Sequence, residues 1–142
     1  MSISKASASW QGGFKDGKGS MKGAHAPEAT FSAGSRFEGQ EGSNPEELIG
    51  AALAGCYSMA LTLSLEKAGM QPKRVDSTAE VKLERLETGF TITVIDLVTK
   101  AVVPGADAAK FQQIAEDTKK GCPVSKVLAA TKINLTASVS NS

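Results

Sequence analysis

The chain reads as an α+β protein, and three observations carry that reading. Strand signals lie at both ends of the sequence and in its middle. A long helix without charges separates the first group of strands from the second, and a shorter amphipathic helix precedes the last strand. Strands and helices grouped in this way, without regular βαβ alternation, predict the α+β class.

The first strands are the least sharply marked. Residues 2–10 are Ser-rich and weakly alternating, and they end on Trp10. Gly12-Gly13 and Asp16-Gly17-Lys18-Gly19 are turn signals, so strands are expected over about 18–25 and 29–38. The next element starts sharply. Asn44 suits an N-cap, Pro45 suits the first helical position, and Glu47 stands where a capping-box acid belongs. The helix is expected to run through Cys56 to about Lys67 and to stop at Gly69, with Pro72 preventing its return. Residues 75–103 suggest a hairpin turning at Glu87-Thr88-Gly89. A helix follows from about Asp107 to Lys120, with Phe111, Ile114 and Ala115 on one face. A short helix then starts at Pro123, and Ile133, Leu135, Ala137 and Val139 alternate in a final half-buried strand.

Bulk properties narrow the function. The 142 residues suit one domain, 1–142. A net charge of +1 and an aromatic content of 5% argue against a nucleic-acid partner. The amino terminus lacks the apolar run of a signal peptide, so a reducing cytoplasmic compartment is expected. Leu48 to Leu65 is free of charge, but Gly50, Gly55, Ser58, Thr62 and Ser64 dilute it, and no basic cluster flanks it. It reads as a core helix buried on all faces, with no membrane partner.

The chemistry narrows to a few side chains. His25 is the only histidine, so neither a His-type zinc site nor a Cys-His nucleophile is supported, and no phosphate-binding or dinucleotide loop is present. Neither a cofactor nor a metal is expected. Two cysteines remain, Cys56 and Cys122, with two buried free thiols as the plain alternative. Cys122 lies between Gly121 and Pro123 at an expected N-cap, near Lys119, Lys120 and Lys126, which favours a thiolate. Cys56 lies inside an apolar helix and needs a positive group from elsewhere in the fold. Among Arg36, Arg74 and Arg85, Arg36 is best placed, just ahead of the capped helix; the alternative is an ordinary surface arginine. Glu46 is less needed for capping than Glu47 and is free for a second role. Ten residues separate Glu46 from Cys56, about 15 Å along a straight helix. If both act on one substrate, a second copy of the chain has to bring them together, which points to a homodimer.

Four segments taken together resemble the osmotically inducible protein C and organic hydroperoxide resistance family: Arg36-Phe37-Glu38-Gly39, Asn44-Pro45-Glu46-Glu47-Leu48, Ala54-Gly55-Cys56-Tyr57-Ser58-Met59-Ala60 and Gly121-Cys122-Pro123-Val124-Ser125. The placement of the arginine resembles the OsmC branch. The resemblance implies an intertwined α+β homodimer with antiparallel sheets around a buried central helix. It implies that Cys56 is the peroxidatic thiol and Cys122 the resolving one, and that Arg36 and Glu46 complete the site. This reverses the order of reactivity read from the local sequence. The implied partners are an organic hydroperoxide and a dithiol reductant. Two other classes fit a small α+β dimer around an apolar helix: a hotdog-type thioesterase with Glu46 as base, and a non-enzymatic module binding an apolar ligand.

Overall fold

The computed structural model describes residues 1–142, and its chain divides into two compact units, Met1–Leu48 and Ile49–Ser142. In the first unit, β1 (Ala6–Gln11), β2 (Lys18–Gly23) and β3 (Ala29–Phe31) form an antiparallel sheet in that order. Trp10 and Phe31 meet across it with ring centroids 5.3 Å apart. Gly19 lies between them; a Cβ there would come within 2.5 Å of the Phe31 ring and 2.7 Å of Trp10, so only glycine lets the rings close.

The third strand is shorter than its sequence suggests. Ser32 accepts a hydrogen bond from the Ser35 amide, and the Ser35 hydroxyl accepts one from the Ser32 amide, a reciprocal box that starts α1 (Ala33–Phe37). Arg36 therefore lies on a helical turn rather than on a strand. The β-like composition of 35–38 is overridden by this local cap.

The long helix, α2 (Pro45–Lys67), begins and ends where its signals lie. Asn44 Oδ1 accepts from the Glu47 amide at 2.9 Å. The Glu47 carboxylate does not close a box with Asn44; it accepts from the Ser43 hydroxyl at 2.8 Å. Gly69, at φ +83°, takes the left-handed turn that ends the helix.

The second unit is built on a hairpin of β4 (Arg74–Leu86) and β5 (Gly89–Val102). After it come α3 (Ala108–Gly121), α4 (Pro123–Val127) and β6 (Lys132–Ser140). Strand β6 pairs with β5 in parallel, so this sheet is mixed where antiparallel pairing was expected. The crossover through α3 and α4 is long enough to return the chain in the same direction, which a hairpin loop cannot do. Along β5, Ile95, Leu97, Thr99 and Ala101 point inward, and with Leu53, Tyr57, Leu61 and Leu65 of α2 and Phe111 and Ala115 of α3 they are essentially buried.

One expectation fails on α2. The helix is not buried on all faces: Leu53, Tyr57, Leu61 and Leu65 are wholly inside, while Met59 is 77% and Leu63 51% exposed. Core positions recurring every four residues form a single stripe, and one sheet covers only that stripe. Length and composition alone would let this helix cross a membrane, but its inner stripe is part of a protein core.

Candidate active site

The carboxyl-terminal unit brings the two cysteines together. Helix α2 carries Cys56 one position before the buried Tyr57, and Tyr57 Oη donates to the Ala115 carbonyl of α3 at 3.0 Å. That bond and the Phe111–Ala115 face dock α3 against α2. The Cys122 amide donates to the Thr118 carbonyl at 2.9 Å, closing α3, and Pro123 then opens α4 with Cys122 at its N-cap. The two sulfurs end 2.9 Å apart across 66 positions of sequence, both as free thiols.

Their surroundings differ. Cys56 is partly exposed, whereas Cys122 is 1% exposed. Burial pushes the Cys56 thiol up, and its hydrogen bond with Cys122 adds to that, against a smaller opposing pull from the Val124 amide. Burial acts upward on Cys122 too, but hydrogen bonds from Cys56, from the Ser125 amide and hydroxyl and from the Val124 amide outweigh it, so this thiol is pushed down. With both thiols neutral, Cys122 Sγ donates to Cys56 Sγ; loss of the Cys122 proton would reverse that bond. The donors converging on Cys122 favour leaving the remaining proton on Cys56. The neutral Cys122 sulfur makes no conventional cap hydrogen bond, and the buried Ser125 hydroxyl has no conventional partner. The downward direction for Cys122 is the one that its place at a helix start suggests.

The amino-terminal unit brings Arg36 and Glu46 together. Nη2 of Arg36 donates to Glu46 Oε1 at 2.5 Å and Nε donates to Oε2 at 3.2 Å, a forked pair. Glu46 is 7% exposed, so its charge is compensated where water is scarce. Arg36 is the arginine with a largely buried partner: Arg74 pairs with an exposed Asp76, and Arg85 is exposed beside Phe90. A groove of about 420 Å3 beside Arg36 is walled by Trp10, Phe14, Phe31 and Phe37. His25 is exposed. No group of three or more His, Cys, Asp or Glu side chains is arranged to hold a metal.

Sequence reasoning missed two donors, the Ser125 hydroxyl and the Val124 amide. The available signal was a small hydroxyl residue three positions after a cysteine at a helix start, the place from which an N-cap atom is normally reached.

Comparison with known proteins places the chain in a family. Residues 38–138 match the family model described as OsmC-like protein. The chain is 48% identical over 128 residues to Peroxiredoxin OsmC of Escherichia coli K12, covering 89% of this chain and 90% of the relative. It is 31% identical over 99 residues to the organic hydroperoxide resistance protein of Xanthomonas axonopodis pv. citri, covering 68% and 65%. Among solved structures, the organic hydroperoxide resistance protein from Elizabethkingia anophelis superposes with a TM-score of 0.71 over 99% of both chains at 24% identity. OhrB of Bacillus subtilis superposes with a TM-score of 0.70 over 96% of this chain and 98% of its own, at 22% identity. In sequence and in fold, this chain belongs to the OsmC family.

Proposed function

We propose that this chain is a thiol-dependent peroxidase that reduces organic hydroperoxides to alcohols, with all 142 residues forming one OsmC-like domain of a cytoplasmic homodimer. The observation that carries the reading is the thiol pair, 2.9 Å apart within one chain. The names of the relatives, peroxiredoxin and organic hydroperoxide resistance protein, support the same chemistry.

In the proposed cycle, the Cys56 thiolate attacks the distal peroxide oxygen, the O–O bond breaks, and the alcohol leaves. Cys56 becomes a sulfenic acid. The Cys122 thiolate attacks that sulfur, expels hydroxide, which takes a proton from solvent to become water, and closes a 56–122 disulfide; an external dithiol restores both thiols. The pair is close enough for this step without a large rearrangement.

Cys56 requires activation. A free thiol of pKa ~8.5 is about 3% ionised at neutral pH. The groups that shift Cys56 in the single chain raise it on balance, and none of them is a cation. Arg36, oriented by its fork with Glu46, is the cation we assign to this role, stabilising thiolate and peroxide oxygen together. A homodimer would both supply that cation and cover the open face of α2 at Met59 and Leu63. The aromatic walls of the groove beside Arg36 favour alkyl or lipid-type hydroperoxides over hydrogen peroxide.

The test is turnover of cumene hydroperoxide with a dithiol. Cys56→Ser is expected to fall to background, and Cys122→Ser to complete one round and stop. Turnover by the Cys56 variant would overturn the assignment.

A further inference from the structure

Resting on the disulfide cycle just proposed, we infer that its reduction runs in one direction: the external dithiol attacks Cys56 Sγ, and Cys122 leaves as a thiolate received by the Ser125 hydroxyl and the Ser125 and Val124 amides. Two independent features of the carboxyl-terminal unit carry this.

The first is access. Thiol–disulfide exchange needs the incoming sulfur to line up with the bond it breaks, so the attacked sulfur has to be reachable. Cys56 is partly exposed and Cys122 is 1% exposed. A partner chain can add cover to either, but it cannot uncover Cys122.

The second is the fate of the departing charge. The sulfur that leaves carries an electron pair, and exchange is faster when that thiol is more acidic. Cys122 is the N-cap of α4, and a charge on its sulfur would be stabilised by the Ser125 amide and hydroxyl and the Val124 amide of that first turn. Ser125 is 5% exposed and its Oγ has no hydrogen-bond partner. A buried hydroxyl without a partner costs stability. That cost is relieved whenever an anionic Cys122 sulfur faces it, as it does when this thiol departs.

The step balances as follows. A reductant thiolate forms a bond to Cys56 Sγ, the 56–122 bond breaks, and its electron pair stays on Cys122. The second thiol of the reductant then attacks the reductant sulfur of the mixed disulfide, releasing Cys56. The dithiol ends as a disulfide, and its two protons pass to the two cysteines or to solvent.

The experiment uses the intact protein, oxidised with one equivalent of cumene hydroperoxide. Its disulfide is checked by the mass change from loss of both thiol hydrogens. Failure at this check would sink the cycle itself, and with it the inference. The oxidised protein is then treated briefly with 2-mercaptoethanol, quenched with an excess of N-ethylmaleimide at early time points, and its peptides are mapped. The expected product carries mercaptoethanol on Cys56 and maleimide on Cys122, in about tenfold excess or more over the reverse. Equal or reversed labelling would overturn the direction. A second measurement isolates the hydroxyl. Ser125→Ala should slow reduction of the disulfide about three- to tenfold, and Ser125→Thr, which keeps the hydroxyl, should recover most of that rate. A Thr variant as slow as the Ala variant would assign Ser125 to packing alone.

Discussion

The two units of the chain handle burial in opposite ways. Every fully buried hydrophobic side chain, from Leu53 to Cys122, belongs to the carboxyl-terminal unit, whereas all of β1 is exposed and the buried polar residues of the amino-terminal unit are Ser35 and Glu46. One unit holds a core and the thiols; the other holds a charge pair and an aromatic groove. A three-stranded sheet with so little inside is marginally stable alone, so the amino-terminal unit has to borrow its stability from packing elsewhere. The division also separates chemical roles. The two thiols sit on the unit with the buried core, and the cation proposed to activate Cys56 sits on the unit without one.

The largest effect expected from breaking this division is on catalysis. Arg36→Ala should lower kcat/KM for cumene hydroperoxide about a hundredfold or more, because a hydrogen-bonded charge is lost from a site poor in water. Arg36→Lys should recover only part of it, since an ammonium cannot make the fork to Glu46. Mixing inactive Cys56→Ser and Arg36→Ala chains sharpens the comparison. If Arg36 acts across a dimer, the mixed dimers regain activity; if it acts within its own chain, the mixture stays dead. Leu63→Lys on the open face of α2 should yield monomers in analytical ultracentrifugation and reduce turnover in step with dimer loss.

Stability should divide in the same way. Leu61→Ala, at a wholly buried position, should cost about 2–5 kcal/mol in urea unfolding. Trp10→Ala, at a position 38% exposed, should cost about 0.5–1.5 kcal/mol, the worth of its pairing with Phe31. Equal costs would mean that the amino-terminal sheet is as deeply anchored as the core.

The smallest effect concerns pH. Tyr57 is the chain's one tyrosine, and burial, followed by the charges of Glu116 and Cys122, raises it well above its ordinary value of 10.0. Below that value both folded and unfolded chains keep the proton, and stability does not respond to this group. Above it only the unfolded chain ionises, so stability falls as pH rises towards the folded-state value. Tyrosinate absorbance should therefore appear together with loss of circular dichroism, and not before it.

Much of this was legible in the sequence wherever the cause was local. Asn44, Pro45 and Gly69 set the bounds of α2 because caps and left-handed turns act within a few residues. The hairpin and the inward alternation of β6 followed from period-two patterning. The acidity of Cys122 was legible from its place at a helix start, although the hydrogen bonds come from Ser125 and Val124 rather than from the flanking lysines. A local competitor was misjudged at Ser32, whose box with Ser35 turned an expected strand into α1.

By itself, then, the sequence determined the elements, their caps and the four side chains worth watching. Tertiary structure decided which stripe of an apolar helix is covered, that β6 runs parallel to β5, and that two sulfurs 66 positions apart meet at 2.9 Å while Arg36 clasps Glu46. The physical reason is range. Caps and turns are settled by neighbours along the chain, but burial, desolvation and the convergence of donors on one sulfur depend on groups that only packing brings together.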